Sequence, residues 1–461
     1  MTQRFDAIVI GTGQSGPSLA VRLGKSGRKT AVIERAAFGG TCVNVGCTPT
    51  KAYVACARAA HVVRHAAAFG VQVSGDVRVD LAFVKARKDR IIGASREGVE
   101  RWLRAAPNVT VFQGHARFTG SHAVSVAAAG GEVLALEAPE IFINTGTRAL
   151  VPSIPGIESI RYETNSTILA LETVPSHLAI VGGSYVALEF AQIFRRFGSR
   201  VTVLVRGSRV LAREDDDVSR AVQEVLVSEG VEFRFGTSPR AVESPGDGGV
   251  RITLDDGPLN ASHLLCATGR VPNTDDLGLD AAGIARDAHG LIPVDGRLRT
   301  NVEGVWALGD VNGRGAFTHT SYDDFQIVAA NLLDGGNRSA DTRIRAYAVF
   351  VDPPLARVGM SEREVRESGR PALISTMPMS RVGRARERGE TDGFMKALVD
   401  AQTKRILGAS IFGIEGDEAI HTFIDTMTAG APYTTLQFAM HVHPTVSELV
   451  PTLLDGLRTL Q

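Results

Sequence analysis

The chain has 461 residues, more than one ordinary hydrophobic core accommodates, so its length predicts two to four domains. Its 50 basic and 50 acidic residues balance, which leaves no bulk attraction to nucleic acid or to an anionic membrane, and we expect neither as a partner. No apolar run is long enough to cross a bilayer and four cysteines are too few for a secreted disulfide scaffold, so we expect a cytoplasmic protein in which a disulfide would be catalytic.

The first element is a dinucleotide-binding pattern. Strand-like residues begin almost at once with "DAIVI" (6–10), so we expect no signal peptide. The turn "GTGQSG" follows, then a helical stretch and a second apolar run that ends in Glu34. Gly11 permits the tight turn, Gly13 lets the backbone approach a pyrophosphate, and Gly16 lets the helix pack closely on the strand. Glu34 is placed to bind the ribose hydroxyls, so this segment predicts a dinucleotide site.

The next stretch, "GGTCVNVGCTP" (39–49), places Cys42 and Cys47 five positions apart. Three interpretations compete: a structural disulfide, half of a metal site, or a disulfide that is made and broken during turnover. A zinc site needs two further ligands at metal-like spacing, whereas Cys56 and Cys266 are isolated and are expected in the core. We therefore predict no metal site here.

The residues around Cys47 favour a reactive thiol. Thr48 is a good helix N-cap and Pro49 a good first helical residue, so we expect Cys47 just ahead of a helix N-terminus, where the dipole favours a thiolate. Gly46 frees the backbone to bring Cys42 and Cys47 to the roughly 6 Å Cα separation that a disulfide requires. The loop is predicted to be redox-active.

A second strand, turn, helix and strand follow in "HLAIVGGSYVALEFAQIFRRFGSRVTVLVR" (177–206). Its turn begins with Gly182 and Gly183, carries Ser184 in place of the middle glycine, and ends with Ala187, which is tolerated at the last position. The serine is small enough to keep the turn, although it would crowd the pyrophosphate slightly. This segment predicts a second dinucleotide site.

The end of the second pattern indicates which nucleotide binds. Where an NAD site would carry an acid, the strand ends in Val205 and is followed by Arg206 and Arg209, which are suited to a 2′-phosphate. We predict NADPH rather than NADH. Two dinucleotide sites in one chain indicate two cofactors that exchange electrons, with FAD in the site beside the cysteine loop.

The C-terminal stretch "HVHPTVSELVP" (441–451) contains a candidate acid–base pair. Thiol–disulfide exchange needs a base for the attacking thiol and an acid for the leaving one, and histidine serves both near neutral pH. His443 is followed five residues later by Glu448, a carboxylate that could orient it. His441 is expected to be structural.

The motifs together resemble one family along essentially the whole chain. "GGTCVNVGCTPTK" resembles the active-site signature of the class I pyridine nucleotide-disulfide oxidoreductases, the family of dihydrolipoamide dehydrogenase, glutathione reductase and mercuric reductase. "INTGT", "CATGRVPN" and "VWALGDV" resemble the exit from the FAD domain, the end of the NAD(P) domain and a flavin-binding strand. "VGRARERGETDGFMKALVD" resembles the mercuric reductase branch and the copper(II) reductase linked to reactive-chlorine resistance.

The resemblance implies an α/β fold with two Rossmann-like dinucleotide-binding domains, for FAD and NAD(P), and a C-terminal α+β dimerisation domain. The implied boundaries are 1–147 for the first part of the FAD domain, 148–270 for the NAD(P) domain, 271–340 for the second part of the FAD domain, and 341–461 for the dimerisation domain. A homodimer would place His443 in the partner subunit's active site.

The resemblance also implies the roles of individual residues. Cys42 would be the interchange thiol that attacks substrate, and Cys47 the charge-transfer thiol against the flavin. Lys51 and Glu189 would form an ion pair near the flavin. Tyr185 would cover the nicotinamide pocket, and Arg270 would contact NADPH. The implied contacts to FAD are Thr41, Gly146 and Asp310.

The electron acceptor stays open between a disulfide and a soft metal ion. "HVHPTVSE" resembles dihydrolipoamide dehydrogenase, yet the second dinucleotide site lacks the acid of an NAD enzyme. Against mercury, the C-terminus "LVPTLLDGLRTLQ" has no cysteine pair to pass the metal inward. We expect an NADPH- and FAD-dependent reductase, with dihydrolipoamide dehydrogenase as the alternative enzyme and a flavin redox sensor without turnover as the alternative of another class.

Overall fold

In the described residues, short apolar runs separated by glycines and by amphipathic stretches form five sheets, one of them two-stranded, and the helices that cover them. The computed structural model describes residues 2–128, 130–246 and 248–460. In chain order the strands are β1 (Thr2–Arg4), β2 (Ala7–Ile10), β3 (Thr30–Glu34), β4 (Val109–Gly120), β5 (Ala123–Ala128), β6 (Val133–Glu137), β7 (Glu140–Ile143), β8 (Thr147–Ala149), β9 (His177–Val181), β10 (Arg200–Val205), β11 (Val231–Phe235), β12 (Ala241–Glu243), β13 (Val250–Leu254), β14 (Gly257–Ala261), β15 (His263–Cys266), β16 (Arg270–Pro272), β17 (Val305–Ala307), β18 (Ala346–Val349), β19 (Leu355–Gly359), β20 (Ala372–Pro378), β21 (Phe394–Asp400), β22 (Ile406–Phe412) and β23 (Arg458–Thr459). The α-helices are α1 (Gly16–Lys25), α2 (Gly40–Asn44), α3 (Cys47–Arg64), α4 (Leu81–Ala105), α5 (Tyr185–Phe197), α6 (Asp216–Ser228), α7 (Thr318–Leu333), α8 (Glu362–Glu367), α9 (Gly383–Glu387), α10 (Gly416–Ala419), α11 (His421–Thr428), α12 (Tyr433–Gln437) and α13 (Val450–Asp455).

The largest sheet draws on two distant parts of the chain. Its order is β1-β6-β5-β4-β3-β2-β7-β17, and β17 reaches the sheet only after the second dinucleotide segment. Strands β4, β3, β2, β7 and β17 are parallel, whereas β5 pairs antiparallel with β4 and β6. β2 and β3 are buried along their whole length, as strands covered on both faces require. The glycine turn after β2 therefore lies at the carboxyl edge of a parallel sheet, where nucleotides bind.

The second dinucleotide pattern forms its own parallel sheet in the order β11-β10-β9-β15. A three-stranded antiparallel sheet, β12-β13-β14, follows it in the chain. Strands β8 and β16 pair antiparallel, so the chain segments that enter and leave this part of the molecule lie side by side. The predicted domain boundaries at 147 and 270 fall in this ladder, and the boundaries themselves stay predictions.

The C-terminal sheet has six strands in the order β18-β19-β22-β21-β20-β23, and every pair is antiparallel. Strand β22 is buried at all seven residues, with helix α11 packed against it and α13 packed against β20 and β21. One apolar cluster joins this sheet to both dinucleotide segments, since it contains Tyr53 of α3, Phe190 of α5 and Phe412 of β22. The three parts of the chain therefore share a core.

Buried charges join the second dinucleotide segment to the C-terminal sheet. Lys396 on β21 is 2% exposed, and its ammonium lies 2.8 Å from Asp217, 3.1 Å from Glu362 and 3.5 Å from Asp215. Burial would raise the pKa of Asp215, but backbone amides of Glu362 and Arg363 donate to it and Lys396 lies nearby, so its pKa is lowered. The carboxylates around Lys396 depend on its charge.

Replacing Lys396 with Met should lower the free energy of unfolding by about 3 kcal/mol, because it leaves the buried Asp215 without its counter-charge while Asp217 and Glu362 are partly exposed to water. Urea unfolding followed by circular dichroism measures the loss. Lys25→Met, at an exposed position on α1, is the matched control and should change stability little. Equal losses in the two variants would show that the Lys396 charge does not hold these segments together.

Candidate active site

The first glycine turn is packed against the end of β7. Gly11 has φ +100°, and a Cβ at this position would collide with the carbonyl oxygen of Asn144. A Cβ on Gly13 would lie 2.8 Å from the Asn144 side-chain oxygen, and one on Gly16 would collide with the carbonyl of Gly11. The Asn144 side chain in turn accepts a hydrogen bond from the Gly16 amide at 3.1 Å. The turn therefore requires glycine, and it presents open backbone to the space beside it.

Glu34 closes the same turn. It is 7% exposed, and one carboxylate oxygen accepts hydrogen bonds from the Thr12 amide at 3.0 Å and the Thr12 hydroxyl at 2.6 Å. Its other oxygen accepts from the Ala36 amide at 2.9 Å. Glu34 thus already holds the turn in shape, while it also lines the cavity in which a ribose could reach it.

A cavity of 2220 Å³ extends from this turn across the molecule. It is larger than the roughly 300–1,000 Å³ of a single small-molecule site, so it has room for an extended cofactor and a second ligand. The predicted FAD contacts in its wall are Gly11, Gly13, Glu34, Thr41, Gly146 and Asp310. Asp310 accepts a hydrogen bond from the Thr147 hydroxyl at 2.9 Å. The cradle, the acidic groups and the volume fit a bound FAD.

The second turn differs in its packing. Gly182 has φ +132° and faces the carbonyl of Ala267, and a Cβ on Gly183 would lie 2.8 Å from the Val205 side chain. Ser184 has an extended backbone and directly precedes α5. Tyr185, the first residue of α5, lines the large cavity, and burial raises the pKa of its phenol.

The two arginines predicted to bind a 2′-phosphate differ in the contacts that they already make. Arg206 is exposed and makes no hydrogen bond or ion pair within the described parts of the chain. Arg209 is ion-paired with Asp216 and donates to the carbonyls of Ala212 and Glu214, at 3.1 and 3.3 Å. Arg206 is therefore the guanidinium that is available at the end of β10.

Arg270 lies between the two predicted cofactor regions. It donates to the hydroxyl and the carbonyl of Thr147, both at 2.7 Å, and its guanidinium lies 4.0 Å from Asp310. The resemblance placed Arg270 on the NADPH side, whereas these hydrogen bonds hold it beside the predicted flavin contact. It lines the cavity together with Tyr185, so a contact to nicotinamide stays a prediction.

The two cysteines lie together, without a bond between them, at the start of α3. The helix begins at Cys47 with Gly46 as its N-cap, so the expectation that Thr48 would be the N-cap is wrong. Pro49 lies inside the first turn of the helix. Backbone N–H groups in that turn have no acceptor within the helix, so the N–H that proline lacks costs no hydrogen bond. Cys47 is consequently the first residue of the helix, with the positive end of the dipole beside its sulfur.

The surroundings of Cys42 and Cys47 shift the pKa values of the two thiols in opposite directions. The hydrogen bond from the Cys42 thiol lowers the pKa of Cys47 to about 6, helped by Thr318 and the charge of Lys51 and opposed by burial. The Thr318 hydroxyl lies 3.2 Å from the Cys47 sulfur. The same hydrogen bond, together with burial, raises the pKa of Cys42 far above its ordinary value. The two opposite shifts favour the thiolate at Cys47 and the thiol at Cys42.

Lys51, one turn along α3, forms the predicted ion pair. Its ammonium lies 2.8 Å from the carboxylate of Glu189, whose side chain is 4% exposed. The second carboxylate oxygen of Glu189 accepts from the Phe350 amide at 2.9 Å, and the Lys51 ammonium lies 4.5 Å from the Phe350 ring centroid. Sequence reasoning missed Phe350 and Thr318, because each approaches the site from a separate part of the chain and no local motif marks it.

An aromatic cluster stands beside the dithiol and was also not predicted. The Phe317 ring stacks on Tyr347 at 5.3 Å and on His319 at 5.5 Å, and it lies 5.9 Å from Tyr185. Tyr347 also hydrogen-bonds to Glu214 on the loop before α6. The cluster connects the predicted nicotinamide cover to the residue that precedes Thr318.

His443 and Glu448 form a pair outside the cavity that holds the dithiol of the same chain. The His443 Nδ1 is 2.7 Å from the Glu448 carboxylate, and the His443 side chain is 81% exposed. Neither residue is part of the cavity wall described above. Three exposed apolar side chains precede them, namely Phe438, Met440 and Val442. Folding of one chain thus orients the histidine and leaves it facing outward.

Comparison with known proteins identifies the family. Residues 5–324 match the family described as pyridine nucleotide-disulphide oxidoreductase, and residues 345–454 match its dimerisation domain. The chain belongs to the pyridine nucleotide-disulphide oxidoreductase family. The predicted recognition, the enzyme class and the fold class with a C-terminal dimerisation domain are confirmed, and members of the family use FAD and a pyridine nucleotide.

Individual relatives cover nearly the whole chain. The sequence is 38% identical over 451 residues to the probable pyridine nucleotide-disulfide oxidoreductase RclA of Escherichia coli (strain K12), covering 96% of this chain and 97% of the relative. It is 34% identical over 449 residues to a mercuric reductase of Streptomyces lividans, covering 96% and 94%. It is 31% identical over 451 residues to a dihydrolipoyl dehydrogenase of Chlamydia muridarum, covering 97% and 96%.

A solved structure agrees with the sequence comparison. The Cu(II) complex of the HOCl-induced flavoprotein disulfide reductase RclA from Escherichia coli has a TM-score of 0.91 and 36% identity, and covers 98% of this chain and 99% of that one. In the described residues, no helix of this oxidoreductase is both long and apolar enough to cross a membrane. The same residues contain no group of three or more His, Cys, Asp or Glu side chains placed to hold a metal ion.

Thr318→Val should raise the pKa of Cys47 by about one unit, because a charge-assisted hydrogen bond to the thiolate is lost. Thiolate absorbance at 240 nm of the reduced, cofactor-free protein, followed as pH is varied, measures this pKa. Thr342→Val removes an exposed hydroxyl from the same cavity wall and serves as the control. If the two variants titrate alike, Thr318 does not stabilise the thiolate.

Proposed function

We propose that this oxidoreductase passes electrons from NADPH, through FAD and a Cys42–Cys47 redox disulfide, to a disulfide or soft metal-ion acceptor. The observation that carries the proposal is the meeting of Cys42 and Cys47 in the wall of the large cavity, where the Thr318 hydroxyl and the charge of Lys51 favour a thiolate at Cys47. A thiolate next to a thiol is what a dithiol needs in order to attack an acceptor with one sulfur and retain the other as an anion. A cytoplasmic location is part of the proposal.

The residues that would hold FAD are the first glycine turn, Glu34, Thr41, Gly146 and Asp310. When bound, the flavin supplies the two-electron relay between nicotinamide and the cysteine pair. Lys51 keeps a positive charge beside the pair, and Glu189 holds that charge in place. Tyr185 and Arg270 stand in the wall where a nicotinamide would enter.

Support for NADPH comes from the end of β10. Val205 packs on the second glycine turn and no acid follows it, so nothing there accepts a hydrogen bond from a ribose 2′-hydroxyl. Within the described residues, Arg206 is exposed and makes no hydrogen bond or ion pair, so its guanidinium is free to bind a 2′-phosphate. Arg209, which is tied to its own loop, would contribute only by exchanging partners.

The chemistry at the acceptor follows from the two sulfurs. With a disulfide, deprotonated Cys42 attacks one sulfur to form a mixed disulfide and releases a thiol, and Cys47 then attacks Cys42 to release the second thiol and restore the Cys42–Cys47 disulfide. The partner subunit's His443 would deprotonate Cys42 and protonate the leaving thiolate, with Glu448 orienting its ring. A soft metal ion would instead bind both thiolates and accept electrons from them as the Cys42–Cys47 disulfide re-forms, which releases two electrons to one two-electron acceptor or to two one-electron acceptors.

A specific observation supports each of the two candidate acceptors, a disulfide and a soft metal ion. The intact His443–Glu448 pair favours a disulfide acceptor such as that of a dihydrolipoyl dehydrogenase. The names of the RclA structure and of the mercuric reductase relative attach Cu(II) and mercury to proteins of similar sequence. This chain has no cysteine after Cys266, so it lacks a C-terminal cysteine pair to deliver mercury. A sensor without turnover would not need an acid–base pair.

Anaerobic titration of the FAD-loaded protein tests the relay. Two-electron reduction by NADPH should produce a broad long-wavelength absorption band from the Cys47 thiolate beside oxidised flavin, and NADH should produce it only at higher concentration. Cys47→Ser is expected to bleach without the band. Bleaching of the unaltered protein without the band would overturn the proposed function, and NADPH oxidation that stops at one equivalent with every acceptor would favour the sensor.

Subunit complementation tests the origin of the histidine. His443→Gln and Cys42→Ser should each be inactive towards a disulfide, whereas a mixture that is dissociated and reassociated should recover about a quarter of normal activity, since half of the dimers then contain one complete site. Disulfide-dependent NADPH oxidation measures the recovery. A mixture of His443→Gln with Glu448→Gln gains no complete site and is the control. No recovery in the first mixture would place both groups in one subunit.

A further inference from the structure

One face of α5 holds a segment of the C-terminal domain. Glu189, Gln192 and Arg196 recur at intervals of three and four residues, which aligns them along the helix. Gln192 exchanges two hydrogen bonds with the backbone of Asp352, both at 2.7 Å, and Arg196 binds the Asp352 carboxylate at 2.5 Å. The chain directly after β18 is thus attached to α5 at successive turns.

Further ion pairs hold the same segment from the other side. Arg58 of α3 donates to Asp352 at 2.7 Å and to Glu390 at 2.6 Å. Burial would raise the pKa of Asp352, but the charges and hydrogen bonds of Arg196 and Arg58 lower it, so the carboxylate stays charged at neutral pH. Phe350, two residues earlier, is therefore carried by a segment held on two sides.

Phe350 contacts both members of the ion pair beside the dithiol. Its amide donates to Glu189 at 2.9 Å, and its ring lies 4.5 Å from the Lys51 ammonium. A lysine side chain has several rotatable bonds, and that of Lys51 is 31% exposed, so the one hydrogen bond to Glu189 does not define its position alone. An aromatic face under the ammonium adds an attraction that depends on position.

We propose that Phe350 is a positioning residue that holds the Lys51 ammonium beside Cys47, an inference that rests on the proposed function. The groups that face Cys47 come from four elements: Cys42 on α2, Lys51 on α3, Glu189 and Tyr185 on α5, and the Thr318 hydroxyl on α7. Lys51 is the one cation among them, and Glu189 opposes it. A small displacement of the ammonium therefore changes the balance of charge at the sulfur.

The test follows the pH dependence of the long-wavelength band. In the two-electron-reduced, FAD-loaded protein, the band is present above the pKa of Cys47 and is lost as pH falls through it. Phe350→Leu removes the aromatic face and keeps the backbone amide, so the pKa should rise by about half a unit to one unit. Phe350→Tyr keeps the face and should titrate like the unaltered protein.

Phe5→Leu is the matched control, because Phe5 lies under the Lys29 ammonium at 4.6 Å, away from the cavity wall described above. It should leave the titration of the band unchanged. If Phe350→Leu does not bind FAD, Phe350→Met, which is close in volume, carries the same comparison.

The outcomes separate the two proposals. A raised pKa in Phe350→Leu, with Phe350→Tyr and Phe5→Leu unchanged, supports the positioning role. An unchanged pKa in Phe350→Leu, or an equal rise in Phe350→Tyr, overturns that role while the relay stands. Absence of the band in the unaltered protein overturns the proposed function and this inference with it.

Discussion

The ion pair between Lys51 and Glu189 is the contact on which the site depends, because its two members come from different dinucleotide-binding segments. Lys51 follows the cysteine loop on α3, and Glu189 lies on α5 after the second glycine turn. The carboxylate is almost completely buried, and breaking such a pair leaves a charge without a partner. The relative position of α3 and α5, and hence the distance from the thiols to the second nucleotide site, is therefore tied to this contact.

Other buried ion pairs also connect segments that are distant in the sequence. Arg196 is 5% exposed and lies between Glu229 and Asp352, and Lys396 lies among carboxylates of the loop before α6 and of α8. Apolar contacts alone tolerate small shifts of one sheet against another, whereas a bidentate guanidinium or a shared ammonium accepts few geometries. We read these pairs as setting the register between segments whose shared apolar core supplies most of the stability.

What could be predicted from the sequence is what lies close together along it. The glycine turns and the acid of the first site, the cysteine loop and the His443–Glu448 pair each lie within about 25 residues, and each was found by its spacing. Thr318 approaches Cys47, and Phe350 approaches Lys51, each across more than 250 residues, and no local pattern marks either of them. The predicted start of α3 is wrong because proline is allowed at several positions of the first turn. Pro49 therefore shows that a helix begins nearby, but it does not identify the first residue.

The chain divides the chemistry of its site into two halves. Its own fold brings together the two cysteines and the cation, which are the groups that would hold charge in the proposed electron transfer. The histidine that would move the protons is oriented by its own carboxylate but faces outward, next to exposed apolar side chains in the family's dimerisation domain. In the proposed function, reduction of the cysteine pair would need only the first half, whereas release of a protonated thiol would need both. A single chain would therefore accept electrons from a nucleotide but pass them poorly to a disulfide. Reduction of a metal ion needs no proton, so its rate would fall less than the rate of disulfide reduction when the second copy of the chain is lost.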